Sequence, residues 1–207
     1  VVLAGLAGWQ GMDINERLRA ESALASSDER IAARADYERR YARWAAIAQP
    51  DVEAIRAQVD FFPEAGRAEV RASLKLVNRS SQPIDRLLVG AGPAASSADV
   101  AVDGAIRVRH DERLGQTVFR LTLPMQPGER RVLAYRTVIS RSGLQSPTFP
   151  LTLEDQFSSL PGAAILPVTG FRREWTLRDP LLRRKQGLPP LALRAPSGLE
   201  PFAPVPL

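Results

Sequence analysis

The stretch FFPEAGRAEVRASLKLVN, residues 61–78, has the clearest secondary-structure pattern in the chain. Its second half alternates between apolar and polar side chains, as a β-strand does when one face meets a core and the other meets water. The apolar positions are Val70, Ala72, Leu74 and Leu76, and the polar positions are Glu69, Arg71, Ser73 and Lys75. Gly66, within PEAGR (63–67), is suited to the positive φ of a tight turn. The stretch therefore predicts two antiparallel strands with a solvated charged face.

Similar alternation continues through residue 139, interrupted by turn-forming residues. Further strands are predicted at 57–61, 84–89, 100–102, 105–109, 117–123, 130–139, 163–168 and 171–177. Asp103-Gly104 is a strong hairpin signal and predicts that the strands on either side of it are joined by a two-residue turn. Strands that recur without helices between them favour antiparallel pairing. The predicted fold class is mainly β, an antiparallel β-sandwich or saddle-shaped sheet preceded by one long N-terminal α-helix.

That helix is predicted over residues 13–48, which are charged, rich in alanine and free of proline and glycine. Asp13 is its expected N-cap, and Pro50 ends it. One apolar stripe runs along it at helical spacing, formed by Tyr37, Tyr41, Trp44 and Ala48. Packing against the β domain is the preferred interpretation of the stripe, and contact with a partner helix or a membrane surface is the alternative.

Composition divides the chain into three regions, which we predict to be an N-terminal helix (1–49), an antiparallel β domain (50–178) and an extension rich in proline and arginine (179–207). The chain begins at Val1 instead of methionine, which indicates a processed chain or a piece of a longer protein. VVLAGLAGW (1–9) is apolar and uncharged, whereas a complete membrane span needs roughly 20 residues. It is either the end of a membrane helix or an ordinary buried helix end.

The composition argues against catalysis by the familiar metal and nucleophile sites. The chain has no cysteine and one histidine, His110, so neither an H-E-x-x-H zinc site nor any two-histidine site can form within it. A Ser-His-Asp triad would have to use His110, and no G-x-S-x-G motif is present. Neighbouring acids occur at Asp111-Glu112 and Glu154-Asp155, where solvation is the simpler interpretation. No catalytic residue, metal or other cofactor is therefore predicted.

Positive charge is concentrated near the C-terminus. Residues 172–194 contain seven basic residues against Glu174 and Asp179, a surplus of five that equals the net charge of the chain. Such a surplus can attract phosphate or anionic lipid, but aromatic residues are sparse there, so no nucleic acid is expected. A solvated linker is the simplest interpretation. Together with the helix stripe, the candidate interaction surface comprises Tyr37, Tyr41, Trp44, Arg172, Arg173, Arg183, Arg184 and Lys185.

Several short motifs occur in an order that resembles a known family. They are Asp36-Tyr37-Glu38, Pro63-Glu64, Leu76-Val77-Asn78, the turn in PMQPGERRVLAYR (124–136), and LPVTGFRREWTLRDPLLRRKQGLPP (166–190). Residues 35–190 thereby resemble part of bacterial inner-membrane proteins that fuse an ABC-type permease to a zinc aminopeptidase of the aminopeptidase N family. The catalytic H-E-x-x-H and G-x-M-E-N motifs of that family are absent, so no catalytic residue carries over to this chain.

The resemblance implies a non-catalytic, extracytoplasmic (periplasmic) β domain near the inner membrane, with the other domains of the same polypeptide as its partners. It also implies that residues 1–9 end a membrane helix. One departure concerns SPTFPLTLEDQFSSLPG (146–162), where an N-G-T-F-F-N type segment is expected and only Phe149 and Phe157 echo it. A free-standing periplasmic binding module for a peptide, glycan or accessory protein is the alternative function.

Overall fold

The structure is a computed structural model that describes residues 27–92, 95, 97–140, 152–153 and 158–191. Several sequence predictions fall outside these residues, namely the apolar stretch 1–9, the N-cap at Asp13 and the acid pair Glu154-Asp155. Within the described part, the predicted N-terminal helix is present as α1, Ser27–Tyr41, followed by a short 3-10 helix, Ala42–Ala46. Pro50 lies just beyond the helical segment and directly before the first strand.

Ten strands and further short helical turns follow in the described residues. The strands are β1 Asp51–Phe62, β2 Arg67–Val77, β3 Ile84–Gly90, β4 Ser97–Val102, β5 Ala105–Asp111, β6 Gln116–Met125, β7 Arg130–Ser140, β8 Thr152–Leu153, β9 Ser158–Ser159 and β10 Val168–Thr169. The other helices are α2 Gly162–Ile165, α3 Pro180–Lys185 and two 3-10 turns, Pro63–Ala65 and Arg173–Trp175.

The hairpin predicted from residues 61–78 organises the first sheet. Strands β1 and β2 pair antiparallel with Ile55 opposite Leu74, and β2 pairs with β7 so that Leu74 also lies opposite Leu133. Gly66 takes φ 55° at the turn, as its position required. The alternate residues of β2 are buried while their charged neighbours are more exposed. We call this sheet, with strand order β1-β2-β7-β4, sheet A.

A second four-stranded sheet, sheet B, has the order β10-β3-β6-β5 and packs against sheet A. Its inner residues Leu87, Phe119 and Leu121 meet Leu74 and Leu133 of sheet A in the largest buried cluster. Apolar burial of this kind contributes about 25 cal/mol per Å² and supplies the main driving force for the sandwich. The mainly β, antiparallel fold class with one N-terminal helix is confirmed.

The turn at Asp103-Gly104 connects the two sheets. The prediction of a hairpin at this turn is wrong, because the flanking strands do not pair with each other. Strand β4 pairs with β7 in sheet A, and β5 pairs with β6 in sheet B. The backbone N–H of Asp103 donates to Val132 O (3.0 Å), while Thr122 N donates to Gly104 O (2.8 Å). Each residue of the turn is therefore bound by a different sheet, and Gly104 supplies the positive φ, 64°, that the sharp crossing needs.

Two predicted strands near the C-terminus are also wrong. Residues 163–168 form most of α2 and only the first residue of β10, and residues 171–177 contain a 3-10 turn. In both cases tertiary packing overrides the apolar run. Ala164 and Ile165 of α2 cover the inner face of sheet A beside Val70, while the 3-10 turn brings Trp175 against α1.

Asn78 joins two turns at one end of the sandwich. Its side-chain amide, which is fully buried, donates to Gln82 O (2.8 Å) and Met125 O (2.9 Å). Its backbone N–H donates to Glu129 O, and its carbonyl accepts from Gly128 N at 2.7 Å. Asn78 therefore connects the end of β2 to the proline-glycine turn before β7, two places that are far apart in sequence.

Candidate interaction surfaces

The aromatic stripe of α1 and the 3-10 helix that follows it lies on the outer face of sheet B. Tyr37, Tyr41 and Trp44 are all buried there, in a cluster with Leu88 of β3 and Leu114 of the turn before β6. The three side chains therefore pack against the β domain. They are part of the chain's own core and are not presented as a surface.

Tyr37 makes the closest aromatic contacts of this cluster. Its ring stacks on Phe171 with centroids 5.3 Å apart and meets the edge of Trp175 at 5.2 Å. Its hydroxyl oxygen accepts a hydrogen bond from the backbone N–H of Arg172 at 2.8 Å. Burial raises the pKa of Tyr37 to about 12, because the ionised phenolate would lose its hydration.

Arg183 of α3 reaches across to α1. Its guanidinium binds the Glu38 carboxylate through two hydrogen bonds of 2.6 and 3.0 Å, and both side chains are buried. The remaining N–H groups donate to the backbone oxygens of Leu177 and Pro189. All five donors of the arginine are thus satisfied, which is the condition under which a buried ion pair is tolerated.

Apolar and capping contacts complete the contact between α1 and the C-terminal segment, residues 171–191. Ala35 of α1 packs with Leu177 and Leu188. Asp179 caps α3 by accepting from the backbone N–H groups of Leu181 (2.7 Å) and Leu182 (3.0 Å). The cap orders the C-terminal segment itself, while an ion pair, aromatic stacking and apolar burial hold that segment and α1 together. We call this arrangement the helix clamp.

A second polar cluster ties the other side of α1 to sheet B. Asp111, at the end of β5, accepts hydrogen bonds from the Tyr41 hydroxyl (3.2 Å) and from Arg40 (3.1 Å). Arg40 also donates to Asp36 one turn earlier (2.9 Å), and Asp36 pairs with Arg113. Burial, followed by the Asp111 charge, raises the pKa of Tyr41 to about 12. Asp111, predicted to be solvated, is instead a buried anchor for the helix.

The eight residues of the predicted interaction surface therefore separate into two groups. Tyr37, Tyr41, Trp44, Arg172 and Arg183 are buried, and Arg173, Arg184 and Lys185 are not. Arg172 is held by Glu174 (3.3 Å) and lies over the Trp175 ring at 4.9 Å. The solvated-linker interpretation of residues 172–194 is wrong for Arg172 and Arg183, which are buried. An interaction role for the three residues that reach solvent stays a prediction.

Besides Arg173, Arg184 and Lys185, strand β1 at the edge of sheet A is exposed. Ile55 and Phe61 are 49% and 44% exposed although they share a face with the buried residues of β2. On the outer face Glu53 pairs with Lys75 (2.9 Å) and Arg130 (2.8 Å). Arg130 and Lys75 together lower the pKa of the Glu53 carboxyl to about 2. The charged outer face is thus an exposed network of cross-strand pairs.

No group of three or more acidic or histidine side chains that could hold a metal ion occurs in the part of the chain that the structure describes. His110 is close to Thr117, with 2.9 Å between Nδ1 and Oγ1. The side chains of the described residues therefore offer no donor set that fits zinc. Among the helices of residues 27–191 that are described, none is long and apolar enough to cross a membrane.

No family model matches the chain, and no curated protein matches it. Its structural neighbours include M1 zinc metallopeptidases. An M1 zinc metallopeptidase mutant from Deinococcus radiodurans is 24% identical, with a TM-score of 0.39, covering 57% of this chain and 28% of its own. One bound to a Tyr-Ser-Ala substrate, from the same organism, is 20% identical at a TM-score of 0.35, covering 57% and 28%.

A two-domain M1 zinc metallopeptidase mutant bound to L-tryptophan is 19% identical at a TM-score of 0.36, covering 57% of this chain and 29% of its own. The chain thus spans less than a third of the length of these structures. With TM-scores below 0.5, the likeness by itself assigns no function to the chain.

Breaking the helix clamp should destabilise the whole domain. We expect Arg183→Met to lower the free energy of unfolding by about 3–5 kcal/mol, because it leaves the Glu38 carboxylate buried without its partner. Urea denaturation followed by tryptophan fluorescence measures this. Arg184→Met is the matched control, since Arg184 is exposed and its loss should change stability by less than about 0.5 kcal/mol. Equal effects of the two substitutions would contradict the clamp.

All three tyrosines of the chain should ionise late. Burial raises the pKa of Tyr37, Tyr41 and Tyr135 above the usual 10.0, the first two to about 12. The folded state thus holds these protons more tightly than the unfolded state. Their contribution to stability should be complete below about pH 10 and be lost as the pH rises towards about 12. Tyrosinate absorbance should rise near pH 10 only in urea-unfolded protein, and the same rise in folded protein would refute the burial.

Proposed function

We propose that this chain is a non-catalytic, extracytoplasmic domain of an aminopeptidase N-like membrane protein of the ABC-permease type. Its work is to hold other parts of that polypeptide in a defined arrangement. The helix α1 would lead away from the bilayer, and the C-terminal segment would lead into whatever the domain supports.

The helix clamp is the observation that carries this proposal. It binds the helix before the β domain to the segment after it, through the buried Glu38–Arg183 pair and the Tyr37 stack. Both ends of the described chain thus lie on one face of one sheet. A buried contact of this kind makes the two segments move as one rigid body. Rigid attachment of this kind is expected of a domain that positions its neighbours, and it is not expected of a flexible linker.

Four of the five motifs behind the family resemblance support the proposal because they contact each other in two pairs. Glu38 of Asp36-Tyr37-Glu38 binds Arg183, and Tyr37 stacks on Phe171. Asn78 of Leu76-Val77-Asn78 binds the turn at Gly128. Because residues of different motifs bind each other in the folded domain, each motif of a pair depends on the other. This dependence explains why these weak motifs occur together in one chain.

An absence of peptidase activity is the first expectation. Because the only histidine, His110, belongs to no group of three or more potential metal ligands in the described residues, the purified chain should neither retain stoichiometric zinc nor hydrolyse aminoacyl reporter substrates. Metal analysis after zinc loading and a fluorogenic aminopeptidase assay measure both. His110→Gln is the control for weak surface binding. Hydrolysis that depends on zinc and disappears in His110→Gln would overturn the non-catalytic role.

The extracytoplasmic location is tested by labelling. The chain contains no cysteine, so Ser81→Cys introduces one thiol into an exposed turn of the full-length polypeptide. We expect a membrane-impermeant maleimide to label this variant in intact cells whose outer membrane has been permeabilised. The unsubstituted protein measures the background from cysteines elsewhere. Labelling that requires rupture of the inner membrane would contradict the location, and recovery of the chain as a free soluble protein would favour the binding-module alternative.

A further inference from the structure

Strand β1 lacks several of the features that keep sheet edges from pairing, such as short length, lysine, proline and a bulge in its middle. It runs for 12 residues, and among the described residues β2 is its only hydrogen-bonded neighbour. It contains no lysine, proline or glycine, and its single irregularity lies at its start, between Val52 and Ala54. By contrast, the edge strand β5 of sheet B is interrupted between Arg107 and Arg109. Long, regular edges are templates for a further strand unless something blocks them.

An apolar row accompanies this free edge. Ile55, Ala57, Val59 and Phe61 lie opposite Leu74, Ala72, Val70 and Ala68, so they point to the core side of sheet A. Ile55, Ala57 and Phe61 are nevertheless exposed, and Val59 is half-buried. The backbone N–H and C=O groups of this edge need hydrogen-bond partners, and the apolar side chains beside it are exposed to water. One added strand can pair with the backbone and cover the side chains.

We propose that β1 pairs antiparallel with β1 of a second copy of this chain, about a twofold axis at Gln58. In this register Ile55 lies opposite Phe61 of the partner subunit, and Ala57 lies opposite Val59 of the partner subunit. The strand is therefore complementary to itself on the apolar face. The paired region covers residues 54–62, which we call the β1 edge.

Charge complementarity selects this register. On the outer face, Arg56 lies opposite Asp60 of the partner subunit, and the pair occurs twice because of the symmetry. An axis at residue 56 would oppose two arginines, one at residue 60 would oppose two aspartates, and axes at 57 or 59 lose the pair. Opposite charges across strands stabilise pairing, and like charges disfavour it.

Asp60 can take part without giving up its present contacts. It accepts from Arg71 at 2.8 Å and from Gln58 at 3.1 Å within its own chain. An ionised carboxylate has about four acceptor positions, so room for a further donor remains. Pairing would join the two copies of sheet A into one continuous sheet of eight strands. The helix clamp, on the outer face of sheet B, does not take part, so this inference stands or fails independently of the proposed function.

Two charge reversals give the experiment. Arg56→Asp places a second carboxylate opposite Asp60 of the partner subunit, and Asp60→Arg places a second guanidinium opposite Arg56 of the partner subunit. Each substitution alone should therefore weaken dimerisation about tenfold. Sedimentation velocity on the full chain over a concentration series measures the dimer fraction. An equimolar mixture of the two variants should recover the dimer, because the aspartates of one variant then face the arginines of the other.

Arg120→Asp is the matched control, since it reverses an exposed arginine in sheet B and should leave the dimer unchanged. Recovery in the mixture supports the register and also shows that both variants remain folded. A wild-type chain that is monomeric at every concentration would overturn the inference. Dimers insensitive to the single reversals, or a mixture that stays monomeric, would overturn it equally.

Discussion

The buried ion pair between Glu38 and Arg183 constrains how the ends of this domain are arranged. A charge inside a protein must be paired and hydrogen-bonded, because its lost hydration costs several kcal/mol. Here the arginine meets that condition through Glu38 and the carbonyls of Leu177 and Pro189. Satisfying Arg183 thus fixes the position of α1, the path of residues 177–183 and the turn at Pro189 together.

The helix clamp and the β1 edge lie on different sheets and differ in what covers them. The clamp closes the outer face of sheet B with aromatic stacking, ion pairs and apolar contacts from the chain itself. Sheet A, in contrast, leaves Ile55 and Phe61 of its edge strand β1 exposed, and among the described residues the outer side of that strand has no hydrogen-bonded neighbour. A domain of this kind has one face completed internally and one edge available for assembly. Mounting other domains and pairing with a second copy are therefore compatible.

How far the sequence predicts such a structure depends on the range of the interactions. The alternation in β2 predicts its buried face, because strand geometry is local and repeats every two residues. The Asp103-Gly104 pair predicts a turn but not its partners, since a turn's residues do not say which sheets will bind them. The apolar run 163–168 is ambiguous by itself and becomes helix α2 because it must cover Val70 and Ile139. Leu123 follows the buried Phe119 and Leu121 at strand spacing, yet it is exposed where the pairing of β6 with β3 is interrupted.

By itself the sequence determined a mainly β, antiparallel domain with a preceding helix, no thiol or two-histidine chemistry, and a basic C-terminal region. Those follow from composition and from periods of two and 3.6 residues. Only the tertiary structure decided that Arg183 is buried against Glu38 while Arg184 and Lys185 are not buried. The two members of the pair are 145 positions apart in sequence, and no local pattern reports a partner at such a distance. The Asp179-Pro180 cap would have predicted helix α3, but the face that it buries is set by where α1 lies on sheet B.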